Sequence, residues 1–325
     1  MSRDVLIAIG GGLLSAVASV AFFGGSAFSF LFVYFAIVPL LMVGLALGPR
    51  AVTIAAGAGI CATGIFGGIF PASIFGVVQV LPAWVITWLT VQKSSSPEVP
   101  AAGVDQPENN QWQSPGLALA VLSFAGGLFI VMAGLFAGEG GLRGLVDSYL
   151  TQAFQLMLPT MTSEVRDITI SRLSAFFPGA IGASWVIMIV INAVVAQSIL
   201  AKAQKSLRPT PAYTEMELPQ WLSWPLIFSA TIALFGSSIG AEGLSYTAYN
   251  VTMVIAIPYF FLGLAVIHSL ARRVAQTRGI LFGLYFILVI QIWAAVVVMG
   301  VGVVEQWFGL RDRQKGDKDG QLPVE

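Results

Sequence analysis

Five amide side chains stand inside long apolar runs of this sequence, where they are the main groups able to do polar chemistry. They are Gln79, Asn192, Gln197, Asn250 and Gln291. An amide surrounded by hydrocarbon must find a hydrogen-bond partner, because water is not there to provide one. The first four are therefore candidates for a polar pocket that binds a small ligand. Hydrogen bonding between helices is the alternative for each of them.

His268 is the only histidine in the sequence, and Cys61 is the only cysteine. A lone histidine does not build a metal site by itself, and a single cysteine excludes a disulfide within the chain. We expect His268 to act as an anchor at the membrane interface, with pH sensing as the alternative. Phosphate-binding loops, nucleophile elbows and zinc motifs are missing from the sequence. We therefore predict no enzyme activity, no cofactor and no metal site.

The composition decides the class of protein that positions these residues. Hydrophobic residues make up 57% of the 325 residues and charged residues only 10%, with sixteen charges of each sign. Soluble domains average about 25% charged residues. This composition excludes an ordinary soluble enzyme, a disordered chain and a secreted disulfide scaffold, and it gives no reason to expect a nucleic-acid partner. It predicts a polytopic membrane protein with the lipid bilayer as its surroundings.

Nine apolar runs are long enough to cross a hydrocarbon core of about 30 Å. None carries an acidic or basic residue in its interior, and none shows the two-residue alternation of barrel strands. The predicted fold class is all-α, a transmembrane helical bundle of eight to nine spans, because the short seventh run could dip into the membrane and return. The first run could instead be a signal peptide, although it is longer than a signal core. The runs are 5–23, 28–47, 51–70, 72–91, 117–137, 174–200, 222–239, 247–270 and 279–303.

Polar segments between the runs predict how the chain is organised. Lys and Arg in the short loops favour a cytoplasmic N-terminus and leave the side of the C-terminal tail open. The predicted parts are N-terminal helices in 1–91, a flexible polar linker in 92–115, C-terminal helices in 116–303 with short interfacial helices in 138–173 and a basic loop in 201–221, and a polar tail in 304–325.

Two surfaces could serve partners. Ala8, Gly12 and Ala16 lie four residues apart on one face of the first helix, which is typical of close helix approach in membranes. This face could dock a partner subunit or pack inside the protein. In the tail, Trp307 with Arg311 and Arg313 is typical of an anchor at the membrane interface, and contact with a cytoplasmic partner is the alternative.

Two stretches of the second half carry a resemblance to a known family. They are the run 257–268, which begins Ile-Pro-Tyr-Phe-Phe and ends at His268, and the ending 303–313. Together with Asn192 and Asn250, they resemble the YybS-like family of bacterial membrane proteins, domain of unknown function 2232. The resemblance covers nearly the whole chain. It implies a membrane protein without assigning an activity.

The first half is similar to another group of proteins. Residues 39–44, the pair Gly48-Pro49 and the glycines 57, 59 and 64 look like the early helices of substrate-binding (S) components of energy-coupling-factor transporters. That likeness implies a helical module that captures a small molecule. It also implies docking, through the small residues of the first helix, on a coupling membrane subunit that works with ATPases. We therefore expect a small-molecule binding or transport module, and the alternative is a membrane scaffold or assembly factor that contacts partners through the basic loop and the tail.

Overall fold

The described part of the chain is built from helices, as the sequence predicted. The structure is a computed structural model, and it describes residues 2–21, 27–92, 112–272, 274 and 276–311. Within these residues six helical stretches are long and apolar enough to cross a membrane, and four shorter apolar helices accompany them. The six are Arg3–Val20, Pro49–Gly67, Ile69–Val91, Pro115–Phe136, Phe177–Lys202 and Glu242–Ala271.

The first compact unit consists of residues 1–118 and 187–212. Its interior is filled by aliphatic side chains such as Ile37, Leu40 and Val52, which are fully buried. Its helices are α1 (Arg3–Val20), α2 (Ala27–Tyr34), α3 (Val38–Leu47), α4 (Pro49–Gly67), α5 (Ile69–Phe75) and α6 (Leu81–Val91), and a π-helical turn, Gly76–Val80, joins the last two.

The second compact unit consists of residues 119–186 and 213–325. The division falls within two helices, α7 (Pro115–Phe136) and α10 (Phe177–Lys202), so the compact units do not coincide with the predicted halves on either side of 92–115. Most of that linker lies outside the described residues. The remaining helices are α7 (Pro115–Phe136), α8 (Gly141–Met157), α9 (Ser163–Ser174), α10 (Phe177–Lys202), α11 (Ser223–Phe235), α12 (Glu242–Ile255), α13 (Ile257–Ala271), α14 (Thr277–Ile290) and α15 (Trp293–Phe308).

Glycines bound α4 at both ends. Gly48, before its first residue, has φ 89° and ψ −176°, and Gly68, after its last residue, has φ 86° and ψ −178°. This backbone shape is essentially restricted to glycine. Pro49 follows Gly48 as the first helical residue, a position where the missing N–H costs nothing. The two turns therefore fix where α4 begins and ends.

Close helix contacts in each unit depend on glycine, which has no side chain. In the first unit, a Cβ on Gly12 of α1 would overlap the carbonyl oxygen of Ala55 in α4. In the second unit, a Cβ on Gly263 of α13 would overlap the carbonyl oxygen of Val298 in α15. Lipid tails are as apolar as a helix surface, so van der Waals contact at such positions drives helix association.

The ninth predicted run, 279–303, is not one helix. Gln291 has extended backbone angles, φ −123° and ψ 103°, which end α14, and α15 begins at Trp293. Gln291 is exposed and was wrongly expected to be a buried amide of a continuous span. The run is apolar throughout, so hydropathy alone did not reveal the break.

Candidate functional site

The helix in the second predicted run is broken in its middle. α2 ends at Tyr34, and α3 begins at Val38 after a turn over 35–37. Pro39, the second residue of α3, has no N–H to donate, and a proline disfavours the helical conformation before it. The Val38 N–H bonds to the carbonyl of Phe35 at 3.0 Å, so it does not reach the carbonyl four residues back. The break therefore leaves backbone carbonyls that need other donors.

Side chains from two other helices bond to those carbonyls. Ser15 of α1 donates its hydroxyl to the Ala36 carbonyl at 2.5 Å. Asn192 of α10 donates Nδ2–H to the Tyr34 carbonyl at 2.9 Å and to the Met188 carbonyl of its own helix at 2.8 Å. Unpaired backbone groups are costly in a bilayer. These two side chains consequently stabilise the break.

Asn192 keeps one polar atom in reserve. Its side chain is fully buried, and its Oδ1 has no hydrogen-bond partner among the residues that the structure describes. The orientation of the amide is determined, because both neighbours of Nδ2 are carbonyls and can only accept. Asn192 therefore presents a fixed, buried acceptor.

Gln79 provides a second buried acceptor in the same unit. It belongs to the π-helical turn Gly76–Val80, where the Leu81 N–H bonds to the Gly76 carbonyl, five residues back. Pro82 follows directly and cannot donate, so the regular helical ladder is interrupted at this point. Gln79 is 4% exposed, and no described group donates to its Oε1. Single π-helical turns inside α-helices occur frequently at functional sites.

Gln197, the third predicted ligand residue, closes the end of α10 instead. Its Nε2 donates to the Ser206 hydroxyl at 3.0 Å and to the Arg208 carbonyl at 3.1 Å, and the Ser206 hydroxyl also donates to the Arg208 carbonyl at 2.6 Å. The Arg208 guanidinium donates through Nη1 to the carbonyls of Thr90 and Gln113, at 3.2 and 2.9 Å. Arg208 is only 4% exposed. The predicted basic loop, 201–221, is therefore held at Arg208 against the backbone of Thr90 and Gln113.

Asn250, the fourth predicted ligand residue, lies in the second unit and uses its whole amide. Oδ1 accepts from the Gly179 N–H at 2.8 Å, and Nδ2 donates to the carbonyls of Ala175 and Tyr246, at 3.2 and 2.9 Å. The Tyr246 hydroxyl adds a bond to the Ser174 carbonyl at 2.5 Å. These contacts hold α12 against the junction of α9 and α10. A ligand would have to displace them in order to reach Asn250.

The apolar run that contains Asn250 is also interrupted just before a proline, as the run of α2 and α3 is. α12 ends at Ile255, and α13 begins at Ile257 with Pro258 as its second residue. Here the backbone itself bridges the break: the N–H groups of Tyr259 and Phe260 both bond to the Ala256 carbonyl, at 3.1 and 3.2 Å. The predicted run 247–270 is therefore two helices joined at one residue.

The small residues of α1 face inward. Ala8 is fully buried, Ala16 is 3% exposed, and Gly12 meets the backbone of α4. Internal packing accounts for this face. A partner could dock on it only if α4 moved aside, so the docking prediction gains no support from the geometry.

The predicted interface anchors differ among themselves. Trp307 is 58% exposed, as an anchor requires, and its indole N–H donates to the Ser223 hydroxyl at 3.5 Å. Half-buried His268 lies 2.8 Å from the Leu264 carbonyl through Nδ1, and its Nε2 lies 3.3 Å from the Tyr285 hydroxyl. Both residues stay predictions as anchors.

Arg311, which the sequence also predicts as an interface anchor, is held by contacts within the second unit. Its Nε donates to Glu305 Oε1 at 2.6 Å, and its other nitrogens donate to the carbonyls of Thr214 and Met216, at 2.8 and 3.0 Å. The side chains of Arg311 and Glu305 are 12% and 5% exposed. Arg311 therefore holds the segment that contains Thr214 and Met216 in place, and a partner at this position would have to displace those contacts. Arg313 lies outside the described residues.

Comparison with known proteins agrees with one of the two resemblances. The family described as a predicted membrane protein, DUF2232, matches residues 13–305 of the chain. No curated protein and no solved structure matches the chain. The likeness of the first half to S components receives no support from these comparisons. Among the described residues, no group of three or more His, Cys, Asp or Glu is placed to hold a metal ion.

Proposed function

The chain belongs to the DUF2232 family of membrane proteins, and from that premise we propose that it is a small-molecule binding or transport module whose first unit binds the ligand. Two buried amide oxygens carry this proposal, Oε1 of Gln79 and Oδ1 of Asn192. A buried acceptor without a partner costs about 1–3 kcal/mol. A ligand that brings N–H or O–H donors to these atoms would recover that cost.

The fixed geometry of Asn192 supports binding through its oxygen. Both hydrogens of its amide are engaged by carbonyls, so Oδ1 does not need to reorient when a ligand arrives. Binding groups that are already held in place lose little conformational entropy on binding. Gln79 lies in a π-helical turn, which is a common setting for ligand contacts in helices.

The ligand class follows from the groups that are available. Amide oxygens accept hydrogen bonds and attract positive charge, whereas the apolar runs contain no Lys or Arg to hold an anion. We therefore infer a small neutral or cationic molecule that carries N–H or O–H donors. The apolar part of such a ligand would suit the aliphatic interior of the first unit.

Transport by this chain would depend on other subunits for energy. The sequence has no phosphate-binding loop of the ATPase type, and its nine apolar runs have no charged residue in their interiors to relay protons or ions. A coupling membrane subunit with associated ATPases, as in transporters with S components, would supply the missing step. The proposed location is the inner membrane of a bacterium, with the N-terminus in the cytoplasm.

The test is to purify the full chain in mild detergent and to identify bound small molecules by native mass spectrometry. We expect a retained metabolite in the wild-type protein, lost in Gln79→Leu and reduced in Asn192→Leu. Thr63→Val is the matched control, because Thr63 is a buried polar residue of the same unit whose hydroxyl, within the described residues, bonds only to its own helix, at Gly59.

Each variant is checked for thermal unfolding, so that loss of the ligand is not confused with loss of the fold. If both amide variants retain the metabolite as well as the control does, the proposed site is wrong. Proteins that co-purify are identified in the same experiment. Finding a membrane subunit and ATPases would support the transport role, and finding other partners alone would favour the scaffold alternative.

A further inference from the structure

The helical hairpin α8–α9 has apolar residues on two sides, although it is too polar to be a span. One side of α8 is buried by Leu142, Val146 and Leu150, which lie four residues apart. Leu142 reaches α7, where its Cβ would lie 3.6 Å from a Cβ placed on Gly134. This side fixes the hairpin to the second unit.

Other large apolar residues of the hairpin are uncovered, beside the buried stripe on α8 and opposite the buried residues of α9. On α8, Leu145 and Tyr149 are exposed, and on α9, Val165 and Ile168 are exposed. A helix in water would carry polar residues on such a face. The tip shows this most strongly: Leu156, Met157 and Leu158 are 83%, 79% and 46% exposed.

We propose that α8–α9 lies in the lipid interface and inserts its tip, residues 156–158, among the lipids. This inference does not rest on the proposed ligand site, because every residue that carries it belongs to α7–α10 within the second unit. It names one occupant for the uncovered face, which is the bilayer that already surrounds the spans.

Continuity with the spans identifies lipid as the occupant. Leu135 and Phe136, at the end of α7, are 73% and 80% exposed, and the hairpin follows after a few residues. At the other end, the ring of Tyr149 packs against the ring of Phe177, the first residue of α10, with centroids 6.1 Å apart. The uncovered surface of two membrane-crossing helices thus continues onto the hairpin.

Charge does not drive this insertion. Between residues 138 and 174, three arginines stand against four acidic residues, so the segment has no excess of positive charge. They are Arg143, Arg166, Arg172, Glu139, Asp147, Glu164 and Asp167. Burial of apolar area is the remaining source of affinity, and it is independent of anionic lipids. Binding through a basic surface would instead increase with anionic lipid content.

The test uses the full chain reconstituted into phosphatidylcholine vesicles. Cys61, which is exposed, is first replaced by Ser, and single cysteines are then introduced by Leu156→Cys or Met157→Cys and labelled with an environment-sensitive fluorophore. Ser148→Cys, an exposed polar position on α8, is the matched control. Quenching is measured with spin-labelled lipids and with aqueous iodide.

We expect spin-labelled lipids to remove most of the fluorescence at positions 156 and 157 and iodide to remove little, with the reverse at position 148. Strong iodide quenching at the tip would overturn the proposal, because the tip would then lie in water. Protection from both quenchers would also overturn it, in favour of a protein partner or a second copy. Replacing part of the lipid by phosphatidylglycerol should leave the quenching unchanged, and a requirement for that lipid would contradict insertion driven by apolar burial.

Discussion

The broken helices α2–α3 and α12–α13 share one local sequence pattern at the break. Pro39 and Pro258 each stand second in the helix after the break, and Gly44 and Gly263 each follow five residues later. A Leu-Ala pair comes after both glycines. The proline interrupts the helix, and the glycine lets a neighbouring helix approach within the same unit, α6 in one and α15 in the other.

The two regions differ in how the break is satisfied. In α2–α3 the exposed carbonyls take donors from Ser15 and Asn192, whereas in α12–α13 the backbone closes the gap by itself. The Oδ1 of Asn250 accepts from the Gly179 N–H, whereas the Oδ1 of Asn192 has no partner among the described residues. Elsewhere in the second unit, Ser123 Oγ and Arg166 Nε are also buried without a partner among the described residues. At the two breaks, however, the asparagine of the second unit is fully bonded and that of the first keeps a spare acceptor. We therefore place ligand binding in the first unit and expect the second to contribute mainly stability.

The ion pair of the second unit should give the largest effect. Arg311→Met leaves the carboxylate of Glu305 at 5% exposure without its partner, which we expect to cost about 3 kcal/mol of unfolding free energy. Adding Glu305→Gln should restore much of the loss, because no buried charge then remains. Chemical unfolding in detergent measures both variants, and a single variant as stable as the wild type would show that the pair is dispensable.

The two matching glycines should differ in tolerance. Gly263→Ala places a methyl group against the backbone of α15, which cannot move locally, and should cost about 3 kcal/mol. Gly44→Ala meets the Thr87 side chain, so we expect a smaller cost of about 1 kcal/mol, relieved by Thr87→Ala. Thermal unfolding of Gly263→Ala, Gly44→Ala and the double variant Gly44→Ala with Thr87→Ala checks this order of stability. Equal losses at the two glycines would break the comparison at this position.

The two asparagines should separate stability from binding. Asn250→Ala removes three hydrogen bonds and should cost about 2 kcal/mol, whereas Asn192→Ala removes two and should cost about 1 kcal/mol. Only Asn192→Ala should also lower retention of the co-purified ligand per folded molecule. Native mass spectrometry measures the retained ligand, and thermal unfolding of each variant gives the folded fraction. Ligand loss confined to Asn250→Ala would place ligand binding in the second unit instead of the first.

Gln79 should give the smallest change in stability. Gln79→Met removes a buried acceptor that has no described partner and keeps the volume, so the ligand-free protein should be unchanged or up to about 1 kcal/mol more stable. Differential scanning fluorimetry in detergent measures this. A clear loss of stability without ligand would mean that the Gln79 oxygen has a structural partner.

Hydropathy predicted most of the helices because each needs an apolar surface of membrane length. It missed the breaks at 35–37, Ala256 and Gln291, since a run that bends in the membrane is as apolar as one that does not. The prolines at 39 and 258 were the available signal for two of these breaks. Gln291 carried no comparable signal.

The polar residues were found by type, but their roles were not. Gln79, Asn192, Gln197 and Asn250 all stood out as amides in apolar runs, and the sequence could not say which had partners. Their partners are mainly backbone carbonyls brought close by the fold, and a carbonyl has no sequence signature. The inward direction of Arg208 and Arg311 was missed for the same reason.

The turns at Gly48 and Gly68 have a consequence for handedness. Their φ and ψ angles are the mirror image of ordinary extended backbone, so both positions have the shape that a D-amino acid adopts without strain. A Cβ built at Gly68 meets nothing within 4 Å, and at Gly48 it meets only Leu207, at 3.7 Å. At both ends of α4, an L-amino acid with a side chain is therefore disfavoured by the backbone angles and not by lack of space. D-alanine would adopt these backbone angles without strain, whereas L-alanine would be strained there even though its methyl group has room.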